Sequence, residues 1–200
     1  MHYTNNIGIL KPAKIAELLV PFLKGGDSLT LTNDLELQIK KDVDIVGCDN
    51  TTYSVKWQPK AAYTGNLAFE IELIDPVTGQ SMPGNFNLCQ ADRYLQLWPE
   101  KGMIRVALFD TNILHDFLKK EWPKKKLNTR TQEVSNANRK FSQAINKLVP
   151  VVELLKICIN SILIDFDTVK NNPLWEKYVK DNTSRRDYYV HGHKTIFERF

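Results

Sequence analysis

The chain has 200 residues, of which 42% are hydrophobic and 25% are charged. These are ordinary values for a soluble globular protein rather than a disordered one, and the length suffices for one substantial core or two small ones. The net charge of +4 is unevenly distributed: residues 1–110 carry 10 Lys/Arg against 13 Asp/Glu, and residues 111–200 carry 17 against 10. The second half is therefore the one expected to contact a polyanion, with a solvated basic surface as the alternative.

Three cysteines, at positions 48, 89 and 158, lie far apart, and none belongs to a Cys-x-x-Cys pair. Neither a disulfide framework nor a zinc knuckle is indicated, so we expect a cytoplasmic protein without a cofactor. The first residues lack the basic start and apolar core of a signal peptide. The most apolar stretch, Leu148–Phe166, contains groups that would be costly in lipid, and it predicts a buried helix rather than a membrane span.

The first 110 residues are predicted to form a β-rich domain with an N-terminal helix over Lys11–Lys24. From Ser28 to Phe109 the apolar periodicity changes to two, and short polar or Pro/Gly segments separate the candidate strands. Leu29, Leu31, Leu35, Leu37 and Ile39 alternate with polar residues, and the further strand candidates are Val43–Val46, Thr52–Trp57, Leu67–Ile74, Phe86–Leu97 and Met103–Phe109. Five or six short strands with tight connections indicate a mostly antiparallel sheet or a small barrel.

Six aromatic residues of this half could stack nucleic-acid bases on an oligonucleotide-binding barrel: Tyr53, Trp57, Tyr63, Phe69, Tyr94 and Trp98. Because this half is slightly acidic and lacks the run of basic residues between aromatics that single-strand binding usually needs, we interpret most of them as packing within the sheet.

After Asp110 the apolar spacing becomes helical. Asp110 or Thr111 can cap a helix that runs to Trp122, and His115 falls on its polar side, where it is interpreted as a solvated surface residue.

The remaining residues complete a predicted helical bundle. Residues 131–166 form the longest helical pattern of the chain, kinked or split at Pro150. A short helix over 173–180 and a last helix from about Arg185 follow. The predicted fold class is thus α+β: a β-rich domain over 1–110 and a helical bundle over 111–200.

The stretch Arg185–His193, with the sequence RRDYYVHGH, gathers the groups best suited to phosphate binding and proton transfer. Imidazole gives and takes protons near neutral pH, and guanidinium offers a planar fork of donors that fits phosphate oxygens. Arg186 and His191 are separated by four residues, with Asp187 in the polar position after the arginine. This pattern, with Val190-His191-Gly192, resembles the site motif of the HEPN superfamily. The pairs Arg185/His191 and Arg186/His193 also satisfy the spacing.

The resemblance to the HEPN superfamily covers the C-terminal half and implies a small helical bundle. Many members of the superfamily are ribonucleases of toxin or phage-defence type, so the resemblance also implies this activity. It implies a homodimer in whose cleft His191 moves a proton of the RNA and Arg186 holds the scissile phosphate. Asp187 would orient one of these two groups. No metal ion is required by this chemistry, and His191 and His193 lack an obvious third metal ligand nearby in sequence.

Further nucleic-acid contacts are predicted from Arg185, His193, Lys194 and the lysine triplet Lys124, Lys125 and Lys126, for which a solvated connector is the alternative. The sequence therefore predicts a metal-independent endoribonuclease that binds RNA, with an antitoxin protein as a candidate partner. The alternatives are a non-catalytic module that binds single-stranded DNA or RNA, and a protein-interaction adaptor.

Overall fold

The computed structural model describes residues 29–32, 34–75, 77–120, 129–135 and 141–165, together with the single residues Leu19, Thr168 and Asn171. Of the helix predicted over Lys11–Lys24 only Leu19 is described, in helical conformation and fully buried. The helices predicted over 173–180 and from about Arg185 lie outside the described residues.

The described chain forms two sheets joined by short helices. In chain order the elements are β1 (Leu29–Leu31), α1 (Leu35–Lys41), β2 (Ile45–Gly47), β3 (Thr52–Trp57), α2 (Ala61–Thr64), β4 (Asn66–Ile74), β5 (Ser81–Pro83), α3 (Asn85–Leu88), β6 (Arg93–Glu100), β7 (Met103–Asp110), α4 (Thr111–Lys120), β8 (Thr129–Ser135), β9 (Phe141–Pro150), α5 (Val151–Leu154) and β10 (Asn160–Asp165).

The first sheet has the order β1-β2-β3-β6-β7-β10, and all its pairs are antiparallel except β3–β6. The second sheet has the order β5-β4-β9-β8 and is antiparallel throughout. Each sheet contains strands from both sides of residue 110. None of the helices in the described ranges is long and apolar enough to cross a membrane.

The predicted C-terminal helical bundle, and with it the fold class, is wrong. Where a long helical pattern, kinked or split at Pro150, was expected over 131–166, the described residues form β8, β9, the single turn α5 and β10. Phe141 and Ile145 are four residues apart, a spacing that keeps two positions on one face of a helix and also on one face of a strand, so it does not distinguish the two structures. Strand β9 pairs with β4 on one side and β8 on the other, and this tertiary pairing decides between the two structures.

The main core lies between the two sheets. Strands β6 and β7 are buried on both faces, which explains their nearly continuous apolar sequences. The buried residues of the core come from both sheets and from the helices between the strands, and they include Leu67, Phe69, Tyr94, Trp98, Phe109, Leu114, Leu118 and Val149. Residues before and after position 110 therefore share one hydrophobic core.

Helix α1 occupies a stretch, Leu35–Ile39, that was predicted as a strand. The carboxylate of Asp34 caps the helix by accepting hydrogen bonds from the backbone N–H groups of Glu36 (2.8 Å) and Leu37 (3.1 Å). An acidic residue in the first turn and two lysines in the last turn complement the helix dipole. These local interactions favour a helix, although the alternation of apolar residues indicated a strand.

The helix predicted after Asp110 is confirmed as α4. The Asp110 carboxylate accepts hydrogen bonds from the backbone N–H groups of Asn112 (3.0 Å) and Ile113 (3.2 Å), as expected of an N-cap. The same carboxylate accepts a hydrogen bond from the Arg93 guanidinium at 2.6 Å. The capping residue thus also ties the start of α4 to β6.

A bulge in β4 between Glu70 and Glu72 positions helix α3. Gly84, which precedes α3, donates its backbone N–H to the carbonyl of Ile71 at 3.0 Å. A Cβ atom at position 84 would lie 2.6 Å from the carbonyl oxygen of Glu70, so only glycine allows this approach. The contact sets α3 against β4 and places Phe86 in the core.

Candidate functional site

The residues predicted to bind or cleave RNA are not among those that the structure describes. They are the three catalytic candidates Arg186, Asp187 and His191 and the nucleic-acid-binding candidates Arg185, His193, Lys194, Lys124, Lys125 and Lys126. Their roles therefore remain predictions.

The described residues contain one buried polar group that could form a site, here called the Asp42 cluster and consisting of Asp42, Ser54, Lys56, Cys89 and Gln96. Asp42 ends α1 with a left-handed backbone, at φ 53°. Its carboxylate accepts hydrogen bonds from the Ser54 hydroxyl at 2.7 Å and from the Lys56 ammonium at 2.5 Å. The Cys89 thiol points toward the backbone carbonyl of Asp42 at 4.0 Å.

Strand β3 contributes two polar side chains to this cluster because side-chain direction in a strand repeats every two residues. Ser54 and Lys56 are two residues apart, so both lie on the same face of β3. Ser54 is level with Tyr94 of β6, and the Tyr94 ring packs against Phe69 of the second sheet. The polar face of β3 therefore points into the space between the sheets instead of toward solvent.

The electrostatics of the cluster are those of a compensated interior network. Asp42 and Lys56 form an ion pair whose side chains are only 12% and 25% exposed. Ser54 is fully buried and donates its proton to Asp42, so its hydroxyl is not accessible to a substrate.

The acid–base properties of Cys89, within the cluster, and of Asp44, next to it, also indicate a structural role. Burial, reinforced by the Asp42 carboxylate, raises the pKa of the Cys89 thiol to about 12. The thiol thus stays protonated at neutral pH and is a poor nucleophile. Burial also raises the pKa of the Asp44 carboxyl, against the opposing effects of Lys56 and of the Val55 backbone N–H. We therefore interpret the Asp42 cluster as a structural network and not as a catalytic centre.

Gln96 is the member of the Asp42 cluster whose buried position is not explained by its contacts. It is fully buried, and the parallel pairing of β3 and β6 places it beside Lys56. Neither atom of its side-chain amide has a hydrogen-bond partner among the described residues. An amide buried in this way typically costs about 1–3 kcal/mol, and the structure gives no physical reason for it.

His115 does not lie on a solvated face of α4, so the sequence interpretation is wrong at this residue. Its ring is half-buried and stacks on Phe86 with centroids 4.2 Å apart and planes inclined by 30°. The Nε2 atom is enclosed without a hydrogen-bond partner among the described residues. Burial lowers the pKa of His115 and the Lys119 ammonium lowers it further, whereas a hydrogen bond with the Phe86 backbone and the Asp116 carboxylate act in the opposite direction.

The stability of the protein should consequently depend on pH through His115. Because the pKa of the folded-state imidazole is below its ordinary value of 6.5, the unfolded chain binds more protons in acid. We expect the free energy of unfolding to fall as the pH decreases from about 7 through that value toward the folded-state pKa. The measurement is urea unfolding between about pH 5.5 and 7.5 for the parent and for His115→Phe, which keeps a ring against Phe86. The variant should show a flatter pH dependence, and parallel curves would contradict the assignment.

Comparison with known proteins adds no assignment. No family model, no curated protein and no solved structure matches the chain. Within the described ranges, no group of three or more His, Cys, Asp or Glu side chains is placed to hold a metal ion. The resemblance to the HEPN superfamily therefore rests on residues 186–192 alone, because the predicted bundle that accompanied it is replaced by strands over 129–135, 141–150 and 160–165.

Proposed function

We propose that the protein binds RNA and cleaves it without a metal ion, using His191, Arg186 and Asp187. The observation that carries this proposal is the concentration of two guanidinium groups, two imidazoles and one carboxylate within Arg185–His193.

The proposed chemistry is an internal transesterification of the RNA backbone. His191 accepts the proton of a ribose 2′-hydroxyl, and the 2′-oxygen attacks the adjacent phosphorus while the bond to the 5′-oxygen breaks. The proton is then returned to the departing 5′-oxygen, so the products are a 2′,3′-cyclic phosphate and a 5′-hydroxyl. Arg186 offsets the charge that builds on the phosphate oxygens in the transition state, and Asp187 orients Arg186 or His191.

A homodimer, an antitoxin protein and a cytoplasmic location remain parts of this proposal. The dimer is proposed because one Arg/His pair from each of two chains would converge in a shared cleft. It no longer depends on a helical bundle over residues 131–166.

A non-catalytic nucleic-acid-binding module is the second candidate function. It is favoured by the charge of the second half, with 17 Lys/Arg against 10 Asp/Glu, and it requires no convergence of Arg186 with His191. A protein-interaction adaptor is the third, and it requires neither RNA binding nor cleavage.

One experiment separates the three functions. Cleavage of a mixed-sequence RNA is measured in EDTA for the parent, for His191→Ala and for Arg186→Ala, with His2→Ala and Arg199→Ala as controls that remove the same groups elsewhere. Removal of a general acid–base should slow cleavage by about 10²–10⁴-fold, while both controls keep the parental rate. Salt-dependent RNA binding without cleavage in the parent would establish the binding module. Absence of RNA binding at low salt would leave the adaptor.

A further inference from the structure

Gln58 and Gln96 carry the same amide group, but the two side chains differ in their hydrogen-bond partners. Gln58 follows β3, and its amide forms two hydrogen bonds with the backbone of Ala68 in β4. Its Nε2 donates to the Ala68 carbonyl at 2.6 Å, and its Oε1 accepts from the Ala68 N–H at 2.7 Å. Gln96 is fully buried in β6, and neither its Nε2 nor its Oε1 has a partner in the described part of the chain. The interior thus satisfies one amide completely and leaves the other unpaired.

The unpaired amide lies directly beside a buried ammonium group. The parallel pairing of β3 and β6 places Lys56 level with Gln96. Residues that are level on neighbouring strands point to the same face of the sheet, and the strands are about 4.8 Å apart. The lysine ammonium offers three donors at the end of a flexible four-carbon stem. The Gln96 Oε1 is therefore an acceptor at the position next to Lys56 on the same face.

In the observed arrangement Lys56 uses a different acceptor. Its ammonium donates to the Asp42 carboxylate at 2.5 Å, and the Ser54 hydroxyl donates to the same carboxylate at 2.7 Å. Asp42 ends α1 with a left-handed backbone, whereas Lys56 and Ser54 belong to β3. The ion pair therefore holds the end of α1 against the first sheet.

Asp44 is a second carboxylate near Lys56, but it already has a partner. Its Oδ2 accepts a hydrogen bond from the Val55 backbone N–H at 2.8 Å. It comes immediately before β2, which lies on the side of β3 opposite to β6. A hydrogen bond from Lys56 to Gln96 would satisfy two groups at once, because the Gln96 amide is otherwise unpaired. A move to Asp44 would leave that amide as it is.

We propose that the Lys56 ammonium has two hydrogen-bond positions, one on the Asp42 carboxylate and one on the Gln96 Oε1. Asp42, Lys56 and Gln96 are here called the Lys56 latch. With Lys56 on Asp42, the end of α1 is held against β3. With Lys56 on Gln96, the end of α1 is released and the ammonium keeps an acceptor. The latch does not depend on the proposed function, because none of its residues lies within Arg185–His193.

The relative strength of the two acceptors explains which position is observed. A hydrogen bond in which both groups are ionised is stronger than one to a neutral amide, so Lys56 is found on Asp42. The unpaired Gln96 amide is the cost of this position. The second position becomes the favoured one when the Asp42 carboxylate is removed.

The test removes the first acceptor and measures whether Gln96 then becomes stabilising. Asp42→Gly removes the carboxylate, and glycine suits the left-handed backbone at this position. Gln96→Met removes the amide and keeps an unbranched side chain. Thermal unfolding is measured for the parent, for both single variants and for Asp42→Gly/Gln96→Met. The matched control is Gln58→Met, the same substitution at the amide that has both partners, in the parent and in Asp42→Gly.

We expect the effect of Gln96→Met to change sign between the two backgrounds. In the parent it should raise Tm by about 2–4 °C, because it removes a buried unpaired amide. In Asp42→Gly it should lower Tm by at least about 2 °C, because Lys56 then loses its second acceptor. Gln58→Met should lower Tm by the same amount in both backgrounds. An increase of Tm by Gln96→Met in both backgrounds would overturn the proposal, since Lys56 would then have turned to Asp44 or to solvent.

A crystal structure of Asp42→Gly tests the same proposal without the double variant. We expect the distance from Lys56 Nζ to Gln96 Oε1 to be about 2.7–3.2 Å, the range of an ordinary hydrogen bond. A Lys56 ammonium that contacts Asp44 or extends into solvent would show that Gln96 is not its second acceptor.

Discussion

Replacing Asp42 with asparagine is expected to lower the free energy of unfolding by about 2–4 kcal/mol. This loss is slightly smaller than the about 3–5 kcal/mol that is typical when one partner of a fully buried ion pair is removed. The Lys56 ammonium would lose the carboxylate that it contacts at 2.5 Å while its side chain stays only 25% exposed. Asparagine has nearly the same size and tolerates the left-handed backbone at this position, so the change tests the charge and not the geometry. Urea unfolding at neutral pH measures the effect.

A double-mutant cycle identifies the cause of this loss. Lys56→Met removes the unpaired charge, so Asp42→Asn/Lys56→Met should be more stable than Asp42→Asn alone. The control is Glu36→Gln, which removes the exposed ion pair with Lys40 and should change the stability by no more than about 1 kcal/mol. If Asp42→Asn costs no more than Glu36→Gln, the carboxylate is not the group that compensates the buried lysine.

The Asp42 cluster shows which part of a polar site the sequence could predict. Ser54 and Lys56 lie two residues apart in a correctly predicted strand, so a shared face was predictable. That this face is buried was not predictable, because it depends on a second sheet that packs over it and on Asp42, twelve residues before Ser54. Polar residues on one face of a strand normally indicate solvent.

The strands of the first half could be predicted largely from their period of two, but their arrangement could not. β3 and β6 are parallel and adjacent although α2, β4, β5 and α3 lie between them in the chain. Thr52 and Asp92 reinforce the start of this pair, because the Asp92 carboxylate accepts hydrogen bonds at 2.8 Å from both the backbone N–H and the hydroxyl of Thr52. Such a contact joins residues 40 positions apart, and no local pattern indicates it.

The error over 131–166 has a similar physical origin. In β9, Lys147 lies opposite Phe69 of β4, and its ammonium reaches the carbonyl of Leu118. Residues 131–166, which include Lys147, were predicted to be helical from their apolar spacing. The side chain instead stabilises the end of a different helix, α4, which only the tertiary structure brings near. Short apolar runs with mixed spacing are decided by such neighbours and not by periodicity.

Truncation of Phe69 to alanine is expected to be the most destabilising single change in the core, at about 3–5 kcal/mol. Phe69 is fully buried in β4, and its ring lies 5.0 Å from Phe86 and 6.1 Å from Tyr94 between centroids. The Phe86 and Tyr94 rings are 5.5 Å apart, so the three rings join α3 and both sheets. Alanine would leave a cavity that neither sheet can close without moving the other.

Two further variants separate the loss of volume from the loss of the aromatic contacts. Phe69→Leu retains most of the apolar volume and should cost about 1–2 kcal/mol, whereas Tyr63→Ala, at a ring that is 60% exposed, should cost less than about 1 kcal/mol. The measurement is thermal unfolding followed by both circular dichroism and tryptophan fluorescence. Because β4 pairs with β9 and β7 pairs with β10, we expect both signals to shift together in one transition for every variant. If Phe69→Ala shifted one of two separate transitions, residues 1–110 and 111–200 would fold as independent units, and the shared core would not couple them.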